Sequence, residues 1–293
     1  MASANSNLVA IGRLADATGL AVDTIRAWER RYGRPRPIRL PSGHRRYDLE
    51  NVHWLRKAAE AVARGHRPSE VVPLEDSDLD ALLSTVHEGT DPLSVHLETI
   101  VGFDTEALRR DLRRRSEGLS VPEVVTDVVS PLVEAVGRAW AEGQLDIRHE
   151  HFVTDIIVKL LSNLEGSSPP PDGAEKAVLS TLPGEPHGLG LAMATVFFNH
   201  AGIATVNLGT TVPAAEIVDA ANECGASVVG ISVSSFSVGP KMSALVRDLR
   251  TQLPEQIELV VGGHGARLKR RTPSGITYAR DFDALSAWLK SRR

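Results

Sequence analysis

Cysteine is almost absent: the 293 residues contain one, Cys224. That excludes an intrachain disulfide and any thiolate cluster for zinc or iron–sulfur chemistry, and it predicts a reducing compartment, the cytoplasm. Long apolar runs are missing too, since no window approaches the roughly 18 consecutive apolar residues that a membrane span needs. The opening MASANSNLVA has neither the basic head nor the apolar core of a secretion signal, so the chain is expected to stay where it is made. No nucleophile–base triad or general acid–base pair stands out, and no enzymatic turnover is expected. What is present is 42% apolar residues, enough to build a sizeable core over more than one domain.

The net charge of −4 hides a segregation. Residues 1–72 hold 13 Lys and Arg against 7 Asp and Glu, whereas the rest holds 20 against 30. A basic head on an acidic body suits a head that meets a polyanion while the body stays off it; chance surface variation is the plainer alternative.

Periodicity divides the chain into three: 1–74, 75–166 and 167–293. The first reads as short helices around a turn, a basic loop, and a longer helix from about Leu49 to Gly65. The second reads as helices throughout, with Asp91-Pro92 and the capping box Ser120-Val-Pro-Glu123 as starts, which implies a helical bundle. EGSSPPPDGAEK, Glu165 to Lys176, reads as a linker. Beyond it, the β-rich runs Ala177–Leu182, Ala204–Leu208, Ser227–Val233 and Ile257–Val261 alternate with segments of helical length. That alternation predicts a doubly covered parallel sheet with ligands beyond the C-terminal strand ends, at GEPHGLG, GTTVP, SVSSFS and GGHGA.

In the head, IGRLADATGLAVDTIRAWERRYG breaks at Thr18-Gly19-Leu20, the turn of a helix-turn-helix. The second helix, about Val22 to Tyr32, shows Thr24, Arg26 and Arg30 along one side, suited to base edges and phosphates. GRPRPIRLPSGHRRYD then forms a hairpin-like wing from which Arg36, Arg39, Arg45 and Arg46 can touch phosphates. This stretch, through HWLRKA, resembles the DNA-binding domain of MerR-type regulators, matching at LA-x-x-TG, T-x-R-x-W-E-R and G-H-R-x-Y. The resemblance implies a winged-helix dimer on a double-stranded, palindrome-like operator, and it adds Trp28, His44 and Tyr47 to the DNA-binding set. The cysteine-rich tail of MerR metal sensors is missing.

In TLPGEPHGLG, a histidine after a strand has an ordinary explanation as a helix cap. The spacing offers another: Glu185 stands two residues before His187, where a carboxylate can orient an imidazole toward a metal, and Gly190 relieves crowding on the backbone. Glu185-x-His187-x-x-Gly190 resembles the D/E-x-H-x-x-G signature of cobalamin-binding domains. The 41 residues 191–231 separate it from Ser232-Val233-Ser234, and the 27 residues 235–261 lead to Gly262-Gly263, both in the family's register. Glu185 stands for the commoner Asp, and Ser234 for a Leu. The resemblance implies that His187 is the lower axial ligand of cobalt and that the serines and the Gly-Gly loop line a slot for the displaced base.

Trp140 near the end of one helix, and Glu150-His151 after the Asp146 cap of the next, lie on either side of a short connection. A core tryptophan beside a solvated pair is the bland reading. With both flanking domains, the Trp-x9-Glu-His spacing is similar to that of CarH-type light-sensing repressors. That resemblance implies a winged helix-turn-helix head, a four-helix-bundle cap and a Rossmann-like (flavodoxin-like) cobalamin domain. It also implies Trp140 against the 5′-deoxyadenosyl group of adenosylcobalamin with Glu150 and His151 helping, a dark homotetramer on DNA, and light-driven release of carotenoid or photoprotective genes. Where such proteins can carry a second histidine after the Trp, this chain has Ala141, with His149 and His151 nearby. Two alternatives stay open: a regulator that senses cobalamin or another tetrapyrrole without light, and a corrinoid methyl carrier.

Overall fold

The computed structural model describes residues 8–40, 43–63, 66–83, 92–167, 169–234, 237, 239–266 and 274–292. The chain divides into two compact units, residues 1–104 with 132–152, and residues 105–131 with 153–293.

In the first unit, α1 (Ile11–Thr18) ends where Thr18 Oγ1 turns back to Leu14 O at 2.7 Å and Gly19 takes φ +64°. A left-handed residue there costs glycine no Cβ clash, so the chain turns at once into α2 (Val22–Tyr32). Gly33, at φ +72°, closes α2 by donating its N–H to Glu29 O. The wing follows as β1 (Ile38–Arg39) paired antiparallel with β2 (Arg45–Arg46). Then come α3 (Leu49–Ala63), α4 (Pro68–Val71), α5 (Asp76–Leu83) and α6 (Pro92–Val101). Leu14, Leu20, Ile25, Trp28, Tyr47, Val52 and Leu55 are buried. Each large apolar side chain so removed from water contributes about 1.5–3 kcal/mol. Asp91, expected as a cap, lies outside the described residues.

Within the second unit, α7 (Thr105–Ser116) is followed by a helix that opens at Ser120, whose N–H donates to Glu123 Oε2 at 2.7 Å. It runs as α8 (Val121–Glu123), a π-helical stretch Val124–Val129, and α9 (Ser130–Ala141), which passes into the first unit. Ser130 N–H reaches back five residues to Val125 O. Pro131 supplies the local reason: it has no N–H to give and its ring crowds the carbonyl four residues before it. α10 (Ile147–Ser167) begins after Asp146 and runs three residues into the stretch expected to be linker.

The sheet is parallel throughout, in the order β4-β3-β5-β6-β7. Its strands are β3 (Lys176–Ser180), β4 (Ala204–Asn207), β5 (Val228–Ser232), β6 (Glu258–Gly262) and β7 (Ile276–Ala279). The four expected strands are there within a residue or two of their expected ends; β7 was not anticipated. Both helix layers are present, with α11 (Leu189–His200) and α14 (Phe282–Ser291) joined by the Phe197–Phe282 ring stack, and α12 (Ala214–Cys224) beside α13 (Pro240–Gln252). Every residue of β5 is buried, and a Cβ on Gly230 would come within 2.5 Å of Leu179. Strand order 2-1-3-4-5 reverses direction between β3 and β5, and the crevice above such a reversal is where open α/β sheets bind ligands. Among the described residues, no helix is long and apolar enough to cross a membrane.

Candidate functional site

The loop after β3 carries Glu185 and His187 and the loop after β5 carries Ser234, so the strand reversal brings them together. Glu185 is fully buried. Its Oε1 accepts from the His187 N–H at 3.0 Å and lies 2.7 Å from His187 Nδ1, while Oε2 accepts from the Ser234 N–H at 2.6 Å. Burial pushes this carboxyl up, but the bonds from His187 and Ser234 outweigh it and hold it below the ordinary range. A carboxylate only accepts, so Nδ1 carries the proton and the neutral ring's lone pair sits on Nε2, the ligating form. The imidazole is 41% exposed although its partner is buried. Ser234 Oγ lies 3.3 Å from Nδ1, so the residue that replaces Leu joins this network.

Tight backbone packing frames the pair. A Cβ on Gly190 would stand 3.0 Å from Ser232 Oγ, and one on Gly263, at φ +95°, would stand 2.5 Å from Val233 O. Gly262 O accepts from Val233 N–H at 2.9 Å and so ties the Gly-Gly loop to the serine loop. Sequence reasoning missed two supports. Buried Thr181 donates its hydroxyl to Glu185 O at 2.6 Å and accepts from Thr211 N–H at 2.8 Å, and Gly265 approaches the Ser234 carbonyl too closely for any side chain. The third glycine of GGHGA was the only hint of the second; nothing local marked Thr181.

In the first unit, Trp140 is 8% exposed, its Nε1 is buried without a hydrogen-bond partner, and the Arg56 guanidinium carbon lies 5.3 Å from its ring centre. Glu150 and His151, in the first turn of α10, pair with each other at 2.8 Å, and the His151 side chain is 71% exposed. His149 is engaged otherwise: its Nδ1 accepts from Asp146 N–H at 2.9 Å, as a helix cap, and its ring stacks on Phe103 at 5.0 Å. Ala141 is buried.

On the head, Arg26, Arg30, Arg39, His44 and Arg45 are exposed and Thr24 is half-buried. Trp28 and Tyr47 are corrections: 6% and 0% exposed, they have no surface to offer a base or phosphate. They belong to the core beneath the reading face. Glu29 links that face to the wing, lying 3.4 Å from Arg45 Nε and accepting from Tyr47 Oη at 3.5 Å.

A model described as MerR HTH family regulatory protein matches residues 9–77, and two described as B12 binding domain match residues 96–165 and 175–279. The chain is 30% identical over 266 residues to the HTH-type transcriptional repressor CarH of Myxococcus xanthus, covering 86% of this chain and 88% of that protein. It belongs to the CarH-type family of cobalamin-binding MerR regulators. A second relative, the HTH-type transcriptional repressor CarA of Myxococcus xanthus, is 27% identical over 291 residues, 96% of each chain. Among solved structures, the Methanosarcina barkeri monomethylamine corrinoid protein is similar with a TM-score of 0.52 at 16% identity, covering 67% of this chain and 95% of that one, a likeness of fold.

As a CarH-type chain, this is a B12-binding repressor, a regulator and not an enzyme. Its donor set suits that class. Among the described residues no group of three or more His, Cys, Asp or Glu is placed to hold a bare metal ion. One oriented imidazole is instead what a metal already ringed by a macrocycle needs.

Proposed function

We propose that this repressor holds adenosylcobalamin, with His187 as lower cobalt ligand and Trp140, Glu150 and His151 toward the upper substituent. In darkness it grips a double-stranded operator as a homotetramer in the cytoplasm, and light releases it from carotenoid or photoprotective genes. The observation that carries the reading is the Glu185–His187–Ser234 network on the same chain as a winged helix. Adenosylcobalamin supplies a Co–C bond that visible light breaks. The chain supplies the rest: Glu185 fixes the tautomer and aim of His187, the glycines let the loops around it pack closely, and several basic heads on one assembly bind an operator far more tightly than one.

The experiment is reconstitution with adenosylcobalamin in the dark, followed by absorption, size and operator binding before and after green light. The expected result is a coloured, larger assembly that shrinks and leaves the operator on illumination, with His187→Ala lowering cofactor retention by more than the roughly 10- to 100-fold that losing a ligand's outer partner costs. A sample that stays colourless in excess corrinoid ends the reading. Ala141 favours a second reading, a regulator that senses the cofactor without light, because a buried methyl offers cobalt no ligand. Corrinoid-dependent operator binding that is equal in light and dark supports this second reading and removes the first.

A further inference from the structure

Helix α3 aligns His53, Arg56 and Glu60 on one face, at spacings of three and four. That face lies against α9 and the turn after it. A Cβ on Gly137 would come within 2.8 Å of Glu60 Oε2, and one on Gly143, at φ +75°, within 3.1 Å of the His53 ring. Two glycines thus let polar side chains of the head close in on either side of Trp140. Arg56 lies over the indole and at the same time donates from Nε to Ala17 O at 3.1 Å. Ala17 belongs to the last turn of α1, immediately before the helix-turn-helix turn. Burial lowers the Arg56 pKa and nearby Asp146 opposes it, yet a guanidinium remains charged throughout. Such a desolvated cation holds a π face and a carbonyl more firmly than an exposed one.

We propose that Arg56 is the positioning residue that couples Trp140 to the DNA-reading head, one planar cation that lies on the indole and ties down the turn between α1 and α2. Any group that shifts the indole then shifts the anchor of the turn. The proposal rests on the reading above only for Trp140 as the wall met by the cofactor.

The test uses the full chain with Arg56→Met, Arg56→Lys, Trp140→Phe and the Met–Phe double variant. Without cofactor, hydrogen exchange in Arg56→Met is expected to rise together at residues 17–21 and 140–146, with the double variant non-additive. Arg56→Lys behaves as Arg56→Met, because an ammonium cannot lie flat and donate in the same pose. A rise at only one of the two segments, additive effects, or full rescue by Lys overturns the proposal. With dark adenosylcobalamin, operator Kd is measured with and without the cofactor. The ratio is expected to fall by about fivefold or more in Arg56→Met, within the usual range of coupling between sites. A lower melting temperature with an unchanged ratio also overturns it, since that is what a merely structural residue does. If the wild type binds no corrinoid, the proposed function fails while the exchange data still decide the role of Arg56.

Discussion

The two ends of the parallel sheet are built from opposite materials. At the N-terminal strand ends, Arg292 pairs with both Glu175 and Glu258 and lies over Trp288 at 4.9 Å. Arg250 donates to Ile257 O, Leu253 O and Pro254 O at 2.6–2.8 Å. Two guanidiniums there cross-link the loops at these strand ends, Arg292 through two carboxylates and Arg250 through backbone carbonyls. At the C-terminal ends the materials are glycines, hydroxyls, one buried carboxylate and a 41% exposed imidazole. Charge at the first end closes the structure, whereas at the second it is spent on orienting a single ring toward a ligand. One end is for holding the domain and the other for receiving something.

Substitutions that treat the two ends alike will break this contrast, and those that separate them will sharpen it. The largest effect is expected from Gly263→Val, which puts a β-branched residue at φ +95° and a Cβ 2.5 Å from Val233 O. Denaturant unfolding should show a loss of about 3 kcal/mol together with lost corrinoid binding. Glu185→Gln comes next. It keeps shape but turns half the acceptor into a donor facing His187 or Ser234, at about 1–3 kcal/mol. Its corrinoid affinity should fall about 10- to 100-fold, read by spectral titration. Arg292→Met should be smallest, about 1 kcal/mol because Glu258 is half exposed, with corrinoid affinity unchanged. A loss of cofactor binding in that variant would remove the contrast.

Acid probes both ends at once. Glu185 is held below its ordinary value of 4.5 by His187 and Ser234 against the push of burial, and Glu175 likewise by Ser227 and Arg292. Because the folded values are the lower ones, these contributions are complete above the unfolded value of 4.5 and disappear as pH falls through the folded values. Stability should therefore be insensitive to these two groups between pH 7 and 5 and drop below about 4.5, a drop made shallower by Glu185→Gln at one end and by Arg292→Met at the other.

Much of the fold was legible because its signals are local. Gly19 and Gly33 sit where the helices of the head must end, and both adopt the left-handed conformation that other residues resist. The alternation of short β-rich runs with helical lengths marked four of five strands. β7 escaped because four residues, Ile276–Ala279, carry too little periodicity to stand out beyond GGHGA. The linker was drawn three residues early, at Glu165, because its composition changes before α10 stops at Ser167. Trp28 and Tyr47 misled for another reason: a motif preserves residues that hold the reading face as well as those that read, and only burial separates them.

By itself, the order of residues determined the helix and strand succession, the placement of Glu185, His187 and the serines after strand ends, and the bounds of the second helix of the head, since capping, turn chemistry and periodicity act within a few residues. Tertiary structure alone decided that Ser234, 49 residues away, completes the hold on Glu185, that Thr181 braces the loop from beneath, and that Arg56 joins the turn at Ala17 to Trp140. Those bonds depend on which strand lies beside which and which helix packs on which, and that is settled by burying side chains across the whole domain.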